Sequence, residues 1–256
     1  MAKSKPTVKE LMDLAKRDNK ASGIILPACD YLSYYFSKPF LYLPLTPNQI
    51  TILWIAIKLA ATAFMVLGNY WTTIIALLVF QIASILDGVD GVIARYRMHF
   101  SLNGIYLDYI GHYLCNSILF IALSFGLFRQ TGSYAAFIPA AITAFSMLLS
   151  KALTINPWWY KQEQRSSVEK VVHEESLSII MEQKTGMVSD WKAKAKILFF
   201  DLVRIDNPLN LMFWGIAAGF TMVTLWAYAA FLSLEMLRKL WLQYWRIYKV
   251  EKQKQE

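Results

Sequence analysis

The chain has 256 residues, of which 56% are hydrophobic, 15% aromatic and only 17% charged. Soluble domains carry roughly a quarter charged residues, so this composition excludes an ordinary soluble domain. The formal net charge is +8, but the basic residues cluster beside the apolar blocks, which favours membrane lipids over nucleic acid as partners.

The N-terminal part, residues 1–45, is predicted to lie at the cytoplasmic surface of a membrane. Residues 3–22 are predicted to form a charged amphipathic helix, and residues 24–45 an interfacial segment rich in Tyr, Phe, Leu and Pro. No cleavable signal peptide is visible, because the first 23 residues contain no apolar core. The first spanning helix is therefore expected to remain and to act as the targeting signal.

Residues 46–155 are predicted to hold four spanning helices, because the apolar residues fall in blocks of about twenty, the length that crosses a bilayer. Thr46 is a good N-cap, and Pro47 suits the first helical position. The spans are predicted at about 48–67, 72–93, 104–127 and 134–154.

The C-terminal part is predicted to contain a polar cytoplasmic loop (156–192), two more spans (193–240) that turn near 215–219, and a basic cytoplasmic tail (241–256). Lys and Arg mark the cytoplasmic side, and they crowd both ends of the chain and the turn at 95–97. Both termini are therefore expected in the cytoplasm, which requires an even number of spans. The sequence predicts an all-α integral membrane protein with six transmembrane helices and an N-terminal interfacial amphipathic segment. If the source is a prokaryote, the expected location is the inner or plasma membrane.

One stretch, between the second and third predicted spans, gathers carboxylates, an imidazole, an arginine and glycines. Four of its residues recur at i, i+3, i+4 and i+7 and share one helix face: Asp87, Asp90, Gly91 and Ala94. Asp108 and His112 share a face of the following helix in the same way.

Carboxylates at this depth are costly unless a cation neutralises them. Two aspartates facing a third form an oxygen-rich cage suited to Mg²⁺ or Mn²⁺. Arg95, one turn beyond, can offer a planar fork to a phosphate. A metal ion and an arginine opposite a diphosphate favour displacement at phosphorus at the cytoplasmic face.

These residues resemble the CDP-alcohol phosphotransferase (CDP-alcohol phosphatidyltransferase) family, whose pattern is D-x-x-D-G-x-x-A-R-x8-G-x3-D-x3-D. The chain matches it, with every spacing kept, at Asp87, Asp90, Gly91, Ala94, Arg95, Gly104 and Asp108. Thr46-Pro47-Asn48 also resembles the way in which members of the family begin their first helix. The resemblance covers about residues 24–155.

The resemblance implies a membrane enzyme that cleaves the diphosphate of a CDP-linked alcohol, releases CMP and joins the substituted phosphate to an acceptor alcohol. Most members make phospholipids from CDP-diacylglycerol or a related donor, and they often pair as homodimers. By resemblance, Asp87, Asp90 and Asp108 hold the divalent metal. The nucleotide diphosphate is expected near Asp90, Gly91, Ala94 and Arg95, with Asn48 close by.

His112 stands where the family has its fourth aspartate. An imidazole removes one negative charge and two oxygen ligands, so the number of metal ions, one or two, stays open. An imidazole can still accept a proton from an alcohol. We expect an active variant in which His112 is the catalytic base beside Asp108 and also contacts the metal.

Other interpretations remain. A member that has lost transfer could bind a CDP-linked lipid or serve as a membrane partner, and a transporter would also use intramembrane charge. Arg95 could be a membrane anchor, as is expected of Arg97. Lys58, in mid-span, could pair within the bundle, reach the interface or contact substrate. A cluster at Asp201, Arg204 and Asp206 could be an internal ion-pair group or contact the acceptor.

Overall fold

The computed structural model describes residues 6–16, 26–163, 203 and 210–255. All regular elements in these ranges are helical. They are α1 (Val8–Lys16), α2 (Leu26–Tyr42), α3 (Pro47–Met65), α4 (Tyr70–Tyr96), α5 (Leu102–Thr131), a short 3-10 turn (Tyr134–Ala136), α6 (Phe137–Glu163), α7 (Leu211–Ala217) and α8 (Thr221–Gln255).

Four segments of the described chain are long and apolar enough to cross a membrane, namely α3, α4, α5 and residues Tyr134–Ala152. Their outer surfaces carry large apolar side chains, such as Phe64 and Phe145, which are about 60% exposed to the surroundings. An exposed apolar surface of this kind suits lipid rather than water. The chain is thus a helical integral membrane protein, as the sequence predicts.

The spanning helices begin where the sequence provides caps. The Thr46 hydroxyl accepts the amide N–H of Gln49, and the Gln49 side chain accepts the N–H of Thr46, which completes a capping box. The Asn69 side chain caps α4 through Trp71, and the Ser101 hydroxyl caps α5 through Gly104. These caps satisfy amide groups that a helix start leaves without a partner.

Helix α3 forms the centre of the bundle and packs against both α4 and α5. Helices α1 and α2 cover α4, while α6 joins α5 to α8. The core between these helices contains fully buried side chains from three of them, including Trp54, Phe80 and Phe120. This packing brings the first turns of α3 and α5 and the last turns of α4 to the same end of the bundle.

Two regions differ in extent from the prediction. Helix α6 continues to Glu163, beyond its expected end near 154. Helix α8 likewise continues to Gln255, beyond the expected end of the last span at 240. The turn that separates α7 from α8 lies at 218–220, where Gly219 has φ +83°, close to the expected turn at 215–219. Most of the expected fifth span, the loop after Glu163 and the Asp201, Arg204 and Asp206 cluster lie outside the described residues.

Candidate active site

The site lies where the end of α4 and the start of α5 face α3. Helix α4 contributes Asp87 and Asp90, and α5 contributes Asp108 and His112. Each pair is one helical turn apart, so its two side chains project from one face, as the spacing predicts.

Asp87, Asp108 and His112 converge on one point. One ligand atom from each lies within 4.8 Å of the other two. The Nε2 atom of His112 is 3.2 Å from Oδ2 of Asp87 and 3.5 Å from Oδ1 of Asp108. Two carboxylate oxygens and an imidazole nitrogen are suitable ligands for a divalent ion, so these residues could hold one. Asp108 is about half exposed, at 47%, so the cluster is open on its side.

Asp90 lies beside this cluster and is held by α3. Its Oδ2 accepts a 2.6 Å hydrogen bond from the Thr51 hydroxyl and a 3.1 Å bond from the Trp54 indole N–H. The Asp90 side chain is buried, with 9% exposed. Two donors on one oxygen hold the carboxylate in place and leave its Oδ1 to contact a ligand.

The sequence provided no indication of Thr51 or Trp54. Both are buried on α3, and together with Lys58 they recur at helical spacing on one face. A threonine and a tryptophan inside an apolar span are equally consistent with ordinary packing. Only their hydrogen bonds to Asp90 show that they support the site. The Trp54 ring also lies 5.1 Å from the His112 ring, centroid to centroid, so it supports both halves of the site.

Asn48, at the first turn of α3, contacts the first turn of α5. Its Oδ1 accepts a 3.1 Å hydrogen bond from the Ser101 hydroxyl. A methyl group added to Gly104 would lie 2.5 Å from the same Oδ1. Only a glycine at 104 allows this close approach, which accounts for its place in the motif. Asn48 therefore lies where the first turns of α3 and α5 meet, and its role toward a nucleotide stays a prediction.

Arg95 and Arg97 are two residues apart and differ in their contacts. The Arg95 guanidinium folds back over Gly91, where a Cβ would lie 3.4 Å from its terminal nitrogen. Its Nε atom is buried without a hydrogen bond partner, and no described residue forms an ion pair with it. Ala94, beside it on α4, is partly buried. An arginine held over a glycine with donor capacity to spare can bind an anion.

Arg97 instead has a structural role that the sequence did not predict. Its guanidinium donates to the backbone carbonyls of Leu41, Leu43 and Leu45, between the end of α2 and the start of α3. Leu41 lies in the last turn of α2 and the other two residues follow that helix, so these carbonyls need donors. Arg97 thus ties the end of α4 to the segment that leads into α3.

Two lysines also lie next to the site. Lys58 is fully buried on α3, with its ammonium 4.7 Å from the Trp54 ring centroid and 4.9 Å from that of Phe80. Lys151 of α6 places its ammonium 3.4 Å from the centroid of Tyr109 and 4.5 Å from that of Tyr113. Tyr109 follows Asp108 in the chain and Tyr113 follows His112. The sequence singled out Lys58 but not Lys151, which lies near the end of its apolar block.

One cavity among the described residues lies elsewhere. It measures about 390 Å³, lies between α7 and α8, and has mostly apolar walls that include Gly215, Phe220 and Phe231. None of the candidate site residues lines this cavity. The candidate site residues lie instead on the polar surface between α3, α4 and α5.

Comparison with known proteins identifies the family of the chain. The model of the CDP-alcohol phosphatidyltransferase family matches residues 44–231, which include every candidate site residue and more than half of the chain. A curated relative, the bifunctional IPC transferase and DIPP synthase of Archaeoglobus fulgidus, is 36% identical over 91 residues. That stretch covers 36% of this chain and 18% of the relative, so the match spans less than a fifth of the relative's length. The chain belongs to the CDP-alcohol phosphatidyltransferase family.

Proposed function

We propose that the chain is a metal-dependent transferase that moves a substituted phosphate from a CDP-alcohol to an acceptor alcohol and releases CMP. The observation that carries this proposal is the convergence of Asp87, Asp108 and His112, whose ligand atoms lie within 4.8 Å of one another. The family to which the chain belongs supports the same reaction. A member that served only as a membrane partner would have no physical need for carboxylates gathered around one point.

The carboxylates would hold the divalent ion, Mg²⁺ or Mn²⁺. Asp87 and Asp108 supply one oxygen each, and Asp90 can add its Oδ1, because Thr51 and Trp54 bond only its Oδ2. When bound, the ion supplies positive charge that offsets the charge of the diphosphate. The carboxylates thereby define where the diphosphate lies.

Arg95 would bind the donor's diphosphate. Its guanidinium lies over Gly91, whose missing side chain leaves room for a phosphate to approach the backbone of α4. The fork of N–H groups can contact two phosphate oxygens at once. Asn48 would contact the nucleotide at the entrance, near Gly104.

His112 would act as the general base. Its Nε2 faces the carboxylate cluster, where an acceptor hydroxyl would lie close to the diphosphate. The hydroxyl gives its proton to Nε2, and its oxygen bonds to the phosphorus that carries the retained alcohol. The bond from that phosphorus to the bridging oxygen breaks, and CMP leaves with the electron pair. The imidazole then returns its proton to CMP or to water.

Purified protein in lipid nanodiscs tests this proposal. We expect CMP release from CDP-diacylglycerol or a soluble CDP-alcohol when an acceptor panel of polyol phosphates, amino alcohols and sugars is added, and no release when EDTA removes the metal. His112→Ala should abolish CMP release but retain CDP binding, whereas His99→Ala, at an exposed histidine in the α4–α5 turn, should leave both unchanged. Mass spectrometry of co-purified lipid would narrow the donor.

Two results would contradict parts of this proposal. If the wild type binds CDP but releases no CMP with any donor and acceptor of the panel, the chain is a binding protein for a CDP-linked lipid. If His112→Ala turns over as fast as the wild type, the transfer reaction does not use His112 as its base.

We also propose six spans, with the site and both termini on the cytoplasmic side. The distribution of Lys and Arg supports this arrangement. Single cysteines test it in a background without the native ones, Cys29 and Cys115. His99→Cys and Gln255→Cys should react from the cytoplasmic side, and Ser133→Cys from the other side. Gln255→Cys reacting together with Ser133→Cys would mean an odd number of spans.

A further inference from the structure

Lys58 is a basic side chain inside a transmembrane helix. It lies in the middle of α3, and its side chain has no exposed surface. A lysine near a helix end can extend to the membrane surface, but a fully buried one needs compensation inside the protein. Part of this compensation comes from the electron-rich faces of two aromatic rings. The centroids of Trp54 and Phe80 lie 4.7 Å and 4.9 Å from the ammonium.

Lys58 also lies close to the carboxylate cluster, to which it is linked through Trp54. The Trp54 ring lies 5.1 Å from the His112 ring, centroid to centroid, and His112 contacts both Asp87 and Asp108, the candidate metal ligands. Trp54 contacts both the lysine and the site: its ring centroid lies 4.7 Å from the ammonium, and its indole N–H donates to Asp90. Lys58 lies one turn deeper in the bundle than Trp54. The cluster therefore faces a fixed cation on its membrane-interior side.

The formal charges of these groups determine how many divalent ions are needed to neutralise the site. Asp87, Asp90 and Asp108 carry three negative charges, and Lys58 offsets one of them. A single divalent ion neutralises the remaining two. His112 adds no negative charge when it is neutral. A second divalent ion, bound before any donor, would leave an excess of positive charge in surroundings that screen charge poorly.

We propose that Lys58 takes the place of a second metal ion, so that the site holds one divalent cation in the absence of donor. Lys58 is a positioning residue: it keeps the carboxylates compensated while the site is empty and lowers their affinity for metal. This inference rests on the proposed metal-dependent transfer, but it concerns metal binding, which can be measured without turnover.

Titration of the donor-free, full-length protein with Mn²⁺, followed by electron paramagnetic resonance, tests the inference. The wild type should bind one ion per chain. Lys58→Met keeps an unbranched side chain that is one atom shorter and uncharged. It should bind Mn²⁺ about tenfold more tightly or better, because a like charge next to the ion is gone. The rise in Tm on adding Mn²⁺ should also be larger in Lys58→Met than in the wild type. Lys58→Arg, which keeps the charge, should bind one ion with wild-type affinity.

A second pair of variants measures stoichiometry. His112→Asp restores a fourth carboxylate while Lys58 is retained, and it should still bind one ion tightly. The double variant Lys58→Met with His112→Asp has four carboxylates and no internal cation, and it should bind two. Should Lys58→Met fail to fold, Lys58→Gln removes the charge with a polar side chain and serves the same comparison.

Two results would overturn the inference: a wild type that binds two Mn²⁺ ions without donor, or charge-removing variants with unchanged affinity and stoichiometry. Either result is compatible with metal-dependent CMP release, so the proposed function would survive it. A wild type that neither binds Mn²⁺ nor releases CMP would instead remove the proposed function, and the role of Lys58 with it.

Discussion

The hydrogen bond from Thr51 to Asp90 provides the sharpest test of how the site is held. Thr51 is 3% exposed, and its hydroxyl lies 2.6 Å from Oδ2 of a buried carboxylate. Thr51→Val keeps the shape and β-branching of the side chain and removes only the donor. The Trp54 indole N–H, 3.1 Å from the same oxygen, then remains as the second donor to Oδ2. Asp90 gains freedom to turn away from the metal and the nucleotide.

The size of the effect follows from the kind of bond that is lost. A hydrogen bond to a charged group contributes about 1.5–3 kcal/mol, and about 1.4 kcal/mol corresponds to a tenfold change in rate. If the whole loss falls on catalysis, kcat/KM drops about 10- to 150-fold, and we expect the lower part of this range because Trp54 still holds Oδ2. The hydroxyl also lies 3.1 Å from the carbonyl of Pro47, but that carbonyl accepts a helical amide and loses little.

Thr62→Val is the matched control. Thr62 lies on the same helix, is 2% exposed, and bonds only a backbone carbonyl, that of Leu59 at 2.8 Å. Both variants should keep the fold, as judged by Tm. Metal-dependent CMP release and Mn²⁺ affinity should fall for Thr51→Val and stay near wild type for Thr62→Val. If the two variants agree within about threefold in kcat/KM, a difference of less than 1 kcal/mol, Asp90 is not positioned by Thr51.

Three further substitutions separate binding from structure. Arg95→Lys keeps the charge but loses the planar fork, so the KM for the donor should rise about tenfold or more, and an unchanged KM would place the diphosphate elsewhere. Arg97→Lys should lower the free energy of unfolding by about 1–3 kcal/mol, because it loses hydrogen bonds to the carbonyls within 41–45. The KM of the folded protein for the donor should stay the same. A raised KM at unchanged Tm would contradict this structural role. Gly104→Ala forces a methyl group to 2.5 Å from Oδ1 of Asn48 and should reduce kcat/KM about tenfold. Combining it with Asn48→Ala should bring no further loss, and additive losses would show that the clash is not the cause.

The placement of the spans was predictable because it depends on local properties of the chain. Apolar blocks of bilayer length produced α3, α4, α5 and the segment Tyr134–Ala152, and Thr46 capped the first of them as expected. Helix α6 extends beyond its apolar block because a helix can leave the membrane without ending. Membrane hydropathy therefore locates a span but not the end of its helix.

The site was predictable in part, for the same reason. Residues at i and i+4 share a helix face whatever the helix packs against, so the pairing of Asp108 with His112 follows from spacing alone. Their meeting with Asp87 required two helices to adopt a particular rotation and depth, and the family pattern pointed to that meeting. The contacts of Thr51 and Arg97 had no such signal, since each joins segments far apart in the chain.

By itself, the sequence determined a helical membrane protein, the residues of its reactive stretch and the family whose pattern they match. The tertiary structure alone decided which side chains support that stretch: Thr51 and Trp54 hold Asp90, and the buried Lys58 lies against Trp54. The physical reason is the distance along the chain over which each effect acts. Spacing along a helix determines which residues share a face, whereas the choice of neighbour across the bundle depends on the packing of all the helices together.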